Sequence, residues 1–298
     1  MDLRGKTILI TGAARGIGAE SARQLSARGA RIALVGLEPE ELERVARQCG
    51  PDAAAFEADV TDSDALAGVV ESVVERFGGI DVVMANAGVV GTGFVRSTDP
   101  AIFERTIEVN LLGVFRTVRA CLPHVIERRG YVLVIASLAA ASHGPGMAAY
   151  AASKAGAEAF GNSLRAEVAH LGVDVGVGYF AFLDTDMVRG GDSHPVFRET
   201  RSEIPGPLGK THSLSDAVGK IVAGIEGRAR TVVHPGWIRV MLVLRGMLGP
   251  LLERGSGKRI AELDAAFARD VAERGPEAAS ALVGAGGQAD RGRETAST

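Results

Sequence analysis

The stretch "KTILITGAARGIG", residues 6–18, joins an apolar run to a glycine-rich turn. Ile8, Leu9 and Ile10 show no alternation of polar and apolar faces, so the strand they form is expected to be covered on both sides, as strands of a parallel sheet are. The turn "TGAARGIG", Thr11 to Gly18, leads directly into an amphipathic stretch over about 16–28. Glycines at such a junction let backbone N–H groups approach a pyrophosphate, and the helix behind them turns the positive end of its dipole toward it. The spacing differs from G-x-G-x-x-G, so the reading rests on the strand before the turn and the helix after it. Gly12, Gly16 and Gly18, with Arg15 and Ile17 between them, are the candidate dinucleotide contacts.

The same alternation continues along the chain. Apolar runs at 30–36, 53–59, 80–88, 130–137, 173–180 and 229–235 are separated by helical patterns near 40–49, 62–77, 101–120, 149–170 and 214–226. Strands apolar on both faces, each followed by a helix, define a doubly wound α/β fold with a parallel, Rossmann-type sheet. One dinucleotide-binding and catalytic domain is therefore expected over 1–236, with a less regular lid region at about 188–212. The segment 237–255 is the most apolar in the chain, but Arg239, Arg245 and Gly249-Pro250 interrupt it short of the ~20 residues a membrane span needs. It is expected to belong to a helical extension over 237–274 that covers a cavity, packs at a subunit interface or lies peripherally on a membrane. Residues 275–298, rich in Gly, Ala and polar side chains, are expected to be a disordered tail.

Composition narrows the class of function. The 298 residues are 46% hydrophobic, and 33 basic against 36 acidic side chains give a net charge of −3 without a basic block, which argues against nucleic acid and for a small-molecule partner. Cys49 and Cys121 match neither a disulfide framework nor a metal spacing, the six histidines are scattered, and no metal site is expected. The first residues enter a strand pattern without the zones of a signal peptide, and a cytoplasmic location is the expectation.

"YAASK", Tyr150 to Lys154, places a phenol and an ammonium on one helix face, since positions i and i+4 are neighbours. On that spacing alone a solvated pair is the commoner arrangement. The context comes from "TGAARGIG", "NAG" at 86–88, Asn110 in "IEVNLLGVF" and Ser137 in "VIAS". Together with "YAASK" these resemble the short-chain dehydrogenase/reductase family, closely over about 4–190 and more loosely to about 235, with the family's separation of 13 residues between Ser137 and Tyr150.

The resemblance implies a catalytic set of Asn110, Ser137, Tyr150 and Lys154. Tyr150 would be the general acid/base, Lys154 would favour its phenolate and hold the nicotinamide ribose, Ser137 would bond the substrate oxygen, and Asn110 would hold a water on the proton's return path. Asn86, Ala87 and Gly88 would shape the adenosine side of the cleft. Asp59, followed by Val60, suits the adenine amino group, although a turn or cap role fits its spacing equally. After the sixth strand the family's Pro-Gly is replaced by Phe180 and Ala181, while Thr185 keeps the position that contacts the carboxamide.

The implied cofactor is NAD(H) or NADP(H). Gly36 stands where an acidic residue usually ends the second strand, Arg15 would welcome a 2′-phosphate, and Glu38 would repel one or cap the helix begun by Pro39. The balance leans to NAD(H). The expected reaction interconverts a secondary alcohol and a ketone on a hydrophobic substrate, with Phe180, Phe182, Met187 and parts of 237–252 lining the cleft. A 3-oxoacyl-thioester reductase, using Arg189, Arg198 and Arg201 to meet an acyl carrier, is the alternative. A dinucleotide-sensing module without turnover is the alternative of another class. A homodimer or homotetramer through the long helices is expected.

Overall fold

The computed structural model describes residues 1–193, 198, 201, 206–252 and 257–296. Seven strands form one sheet: β1 (Thr7–Thr11), β2 (Arg31–Gly36), β3 (Ala53–Glu57), β4 (Val82–Ala85), β5 (Tyr131–Ile135), β6 (Asp174–Phe180) and β7 (Thr231–His234). All neighbours are parallel, in the order β3-β2-β1-β4-β5-β6-β7. β1, β4 and β5 are buried at every residue, which is why they read as unbroken apolar runs. Chain direction across the sheet reverses between β1 and β4, so the crevice that receives ligands in such folds opens at the carboxyl ends of those two strands.

Helices cover both faces. α1 (Gly16–Ser26) and α2 (Pro39–Cys49) lie on one side of the first crossovers, and α3 (Ser63–Phe77) follows β3. The Asp62 carboxylate accepts the N–H groups of Asp64 and Ala65, each at 3.0 Å, and caps α3, while Gly78 ends it in the left-handed conformation. The single long helix expected near 101–120 is instead α4 (Pro100–Ile107), a π-helical turn (Glu108–Leu112) and α5 (Gly113–Glu127). Asn110 sits in that π turn, a kind of irregularity often found at functional sites. α6 (Ala148–Val168) carries "YAASK", and Cys121 and the half-buried Cys49 are free thiols packed against the core.

Beyond β6, α7 (Asp186–Ser193) and α8 (Leu214–Glu226) flank the region read as a lid. Residues 194–197, 199–200 and 202–205 of that region lie outside the described residues. α9 (Ile238–Leu252) and α10 (Gly257–Arg274) form the extension, and among the described residues no helix is long and apolar enough to cross a membrane. The segment expected to be disordered is where the structure departs furthest from the sequence reading. It forms α11 (Pro276–Ser280) and α12 (Gly284–Ala296), with Ala279, Ser280, Leu282 and Asp290 buried. Leu282 packs into the core, and close backbone contact at glycines seats the segment beside it.

Candidate active site

The glycine turn closes the carboxyl end of β1. Gly12 has φ +64°, and a Cβ there would lie 2.8 Å from the Ala87 Cα; at Gly18 it would lie 2.2 Å from the Gly12 carbonyl oxygen. Neither position admits a side chain, and the turn is thereby pressed against the loop after β4. The junction is tied by the Asn86 side chain, whose Nδ2 donates to the carbonyls of Thr11 (2.9 Å) and Gly12 (3.2 Å). The Thr11 hydroxyl in turn accepts the N–H groups of Asn86 and Ala87 at 3.1 and 3.2 Å. The first N–H groups of α1 have no partner within the helix and face this crevice, so the cradle fits a pyrophosphate.

Ser137 follows β5, where its hydroxyl accepts the Ala139 N–H at 3.1 Å and caps a short 3-10 turn. The same hydroxyl bonds the Tyr150 phenol. Burial raises the Tyr150 pKa above its ordinary value, and the Ser137 bond offsets part of that rise. Lys154 lies one turn along, 4% exposed, with Nζ 5.8 Å from the Tyr150 ring centroid and donating to the Ile135 carbonyl at 3.0 Å. Burial lowers its pKa to about 8. The Tyr150 shift is thus upward in this structure, and burial is its largest cause.

Asn110 is fully buried. Its Oδ1 accepts the Val89 N–H at 2.8 Å, and its Nδ2 donates to the Val89 carbonyl (2.9 Å) and the Ser153 hydroxyl (3.0 Å). Both amide hydrogens are therefore committed, and a water held by this side chain must donate to Oδ1. A Cβ at Gly88 would stand 3.1 Å from Asn110 Oδ1 and 3.3 Å from Lys154 Nζ, so glycine at 88 leaves room for the two to converge. Sequence reasoning missed Thr11, Ser153 and the Ile135 carbonyl, which hold the set together.

At the other end of the crevice, Arg15 Nε donates to Glu38 Oε1 at 2.7 Å, and the Glu38 side chain makes no cap bond although the residue immediately precedes α2. Asp59 takes the turn role at Oδ1, accepting the Thr61 N–H and hydroxyl at 2.8 Å each, while Arg105 donates to Oδ2 at 2.9 Å. Burial opposes ionisation of Asp59, but these hydrogen bonds outweigh it and hold its pKa below the usual carboxylate value.

Most of these groups open on a cavity of about 1120 Å³. Its lining includes Gly12, Arg15, Gly16, Ile17, Glu38, Asp59 and Val60 at one end, and Ser137, Tyr150, Lys154 and Thr185 at the other. Asn86, Ala87 and Gly88 lie between. Gly18 and Asn110 stand behind the wall and shape it. The lining also includes the apolar side chains of Phe94, Met147, Phe182, Met187, Trp237 and Met241, with Arg201 stacked over Phe182. Among the described residues no group of His, Cys, Asp and Glu could hold a metal ion.

A glycine cradle at the switch point of a doubly wound sheet, with a Tyr–Lys–Ser cluster at its edge, defines a nicotinamide-dependent oxidoreductase acting on CH–OH or C=O groups. The chain belongs to the short chain dehydrogenase family, whose model matches residues 6–195. It is 32% identical over 233 residues to dehydrogenase/reductase SDR family member 7B of Bos taurus, covering 73% of this chain and 72% of that one. To a 3-oxoacyl acyl-carrier-protein reductase of Escherichia coli it is 33% identical over 220 residues, covering 73% and 90%. The crystal structure of 3-ketoacyl acyl-carrier-protein reductase from Brucella melitensis complexed with NADH superposes with a TM-score of 0.70 at 26% identity, covering 78% of this chain and 97% of that one.

Proposed function

We propose that the protein interconverts a secondary alcohol and a ketone on an apolar substrate, using NAD(H) in preference to NADP(H), with Tyr150 as the acid/base. The observation that carries this reading is the meeting of Ser137, Tyr150 and Lys154 at the carboxyl end of β5, in the same cavity as the glycine cradle. When bound, the nicotinamide supplies or accepts the hydride. The chain's own residues do the rest: the Ser137 hydroxyl holds the substrate oxygen, and Tyr150 passes a proton to it in reduction or takes one in oxidation. Lys154 lends positive charge and binds the ribose hydroxyls, and Asn110 fixes the loop after β4 against α6. The raised Tyr150 pKa keeps the phenol protonated in the free protein, ready to donate.

The Arg15–Glu38 pair supports NAD(H), since it compensates the Arg15 guanidinium and leaves a carboxylate facing a 2′-phosphate. The apolar side chains of the lining, Phe94, Met147, Phe182, Met187, Trp237 and Met241, support a hydrophobic substrate. The thioester-reductase alternative has less support: of its three arginines Arg198 is exposed, but Arg189 is paired with Asp184 and Asp186, and Arg201 is paired with Asp192 and stacked over Phe182. A homodimer or homotetramer would use the helices around Leu112 and Phe115, large apolar side chains left 38% and 44% exposed. A peripheral membrane contact would use the outward Val240, Val243 and Met247 of α9.

The test is cofactor-dependent turnover, followed by NADH absorbance, on a panel of apolar ketones and 3-oxoacyl thioesters. Turnover of the ketones supports the reading. Turnover of the thioesters alone gives the site to the alternative, and cofactor binding without turnover of any carbonyl gives it to a sensing module.

A further inference from the structure

The C-terminal segment lies across the crevice. Between α11 and α12 the Val283 N–H donates to the Val90 carbonyl at 3.0 Å, joining this segment to the loop after β4 by a main-chain bond. Gly284, at φ +80°, meets α7 backbone to backbone: a Cβ on Gly190 would lie 2.5 Å from the Gly284 nitrogen, and one on Gly284 would lie 2.9 Å from the Met187 Cα. One residue before α7 begins is Thr185, at the nicotinamide end of the cavity. Two turns further along α12, the carboxylate of Asp290, 2% exposed, accepts from Arg105 Nε at 2.9 Å, and Arg105 is the residue that also holds Asp59. The segment is thus anchored at both ends of the crevice, 185 residues separating Asp290 from its partner in sequence.

It covers the crevice without filling it. Val283, Gly286, Gly287 and Asp290 contribute to the wall, the two glycines with no side chain, and about 1120 Å³ stays open beneath them, ample for a large ligand. With the nicotinamide beside Tyr150 and the pyrophosphate at the glycine cradle, the rest of an extended dinucleotide runs over the ends of β2 and β3, toward Glu38 and Asp59. That is the end where Arg105 fastens Asp290.

We propose that residues 282–290 are the roof of the dinucleotide site and that the Arg105–Asp290 pair latches it over the adenosine half. The inference rests on the dinucleotide reading. The roof opens for cofactor to enter and leave, and the latch slows release.

Stopped-flow displacement of NADH measures this directly, on the full chain, on Asp290→Ala and on a chain ending at Ala281. Loss of a charge-assisted bond of this kind corresponds to roughly a tenfold faster NADH release, and both variants are expected to show it with a matching loss of affinity. Unchanged release in Asp290→Ala overturns the latch, and unchanged or slower release in a folded shortened chain overturns the roof. If the shortened chain does not fold, hydrogen exchange decides: NADH should slow exchange of the 284–290 amides in the full chain, and no change there overturns the roof. Failure of the full chain to bind NADH or NADPH at all overturns the dinucleotide reading itself, and this inference with it.

Discussion

Lys154 Nζ donates to the carbonyl oxygen of Ile135 at 3.0 Å, which joins the helix carrying "YAASK" to the last residue of the strand that delivers Ser137. This contact sets the distance between the two halves of the candidate site. It also explains why a cation is tolerated at 4% exposure: one of its three donors is satisfied by main chain, and the others face the cavity.

Tyr150→Phe removes the phenol hydroxyl and little else. Turnover is expected to fall by about 100- to 10,000-fold with cofactor affinity nearly unchanged. Steady-state kinetics beside an NADH titration separates the two effects, and a variant that keeps its turnover would remove Tyr150 from the mechanism.

Lys154→Met should trade function for stability. Burial lowers the Lys154 pKa to about 8 from 10.5, so carrying the charge costs the folded state. That cost is fully present below pH 8 and is relieved as pH rises toward 10.5, a window in which the unfolded chain holds the proton that the folded chain has lost. The variant is expected to be more stable at pH 7 by about 1–3 kcal/mol, to lack the rise in stability across that window, and to bind NADH weakly. Parallel melting curves for the two proteins across pH would show that the ammonium is not desolvated as described.

Glu38→Ala frees the Arg15 guanidinium from its 2.7 Å partner. Preference should move toward NADPH by roughly tenfold, equivalent to about 1.4 kcal/mol. Equal NADH and NADPH affinities in both proteins would take cofactor selection away from this pair.

Gly18→Ala puts a methyl group 2.2 Å from the Gly12 carbonyl oxygen. Backbone cannot yield as a flexible side chain does, so a loss of about 1–3 kcal/mol in stability and a marked loss of NADH affinity are expected in denaturant melts and titrations. At Gly68, where a Cβ meets nothing within 4 Å, the same change should be harmless.

Much of this was legible in the sequence because it depends on local pattern. β1, β4 and β5 are buried throughout and so read as apolar runs, and the glycines of residues 12–18 announce a turn too tight for side chains. The π turn at Glu108–Leu112 was not legible, since widening one turn leaves the apolar period of a long helix almost unaltered. Nor was the role of residues 282–290. Leu282 aside, which packs into the core, the segment is held by glycine backbone packed on backbone and by an ion pair spanning 185 residues, and composition registers it only as small and polar. The upward shift of the Tyr150 pKa likewise depends on burial, which spacing along a helix does not specify.

Trp237, the single tryptophan of the chain, lines the same cavity as Tyr150 and the glycine cradle, and so reports on its occupancy. The most direct test of the central claim is therefore a titration with NADH followed by energy transfer from Trp237. Saturable quenching of its emission, retained in Tyr150→Phe and weakened in Lys154→Met, is the predicted result. A flat titration with both NADH and NADPH would contradict it.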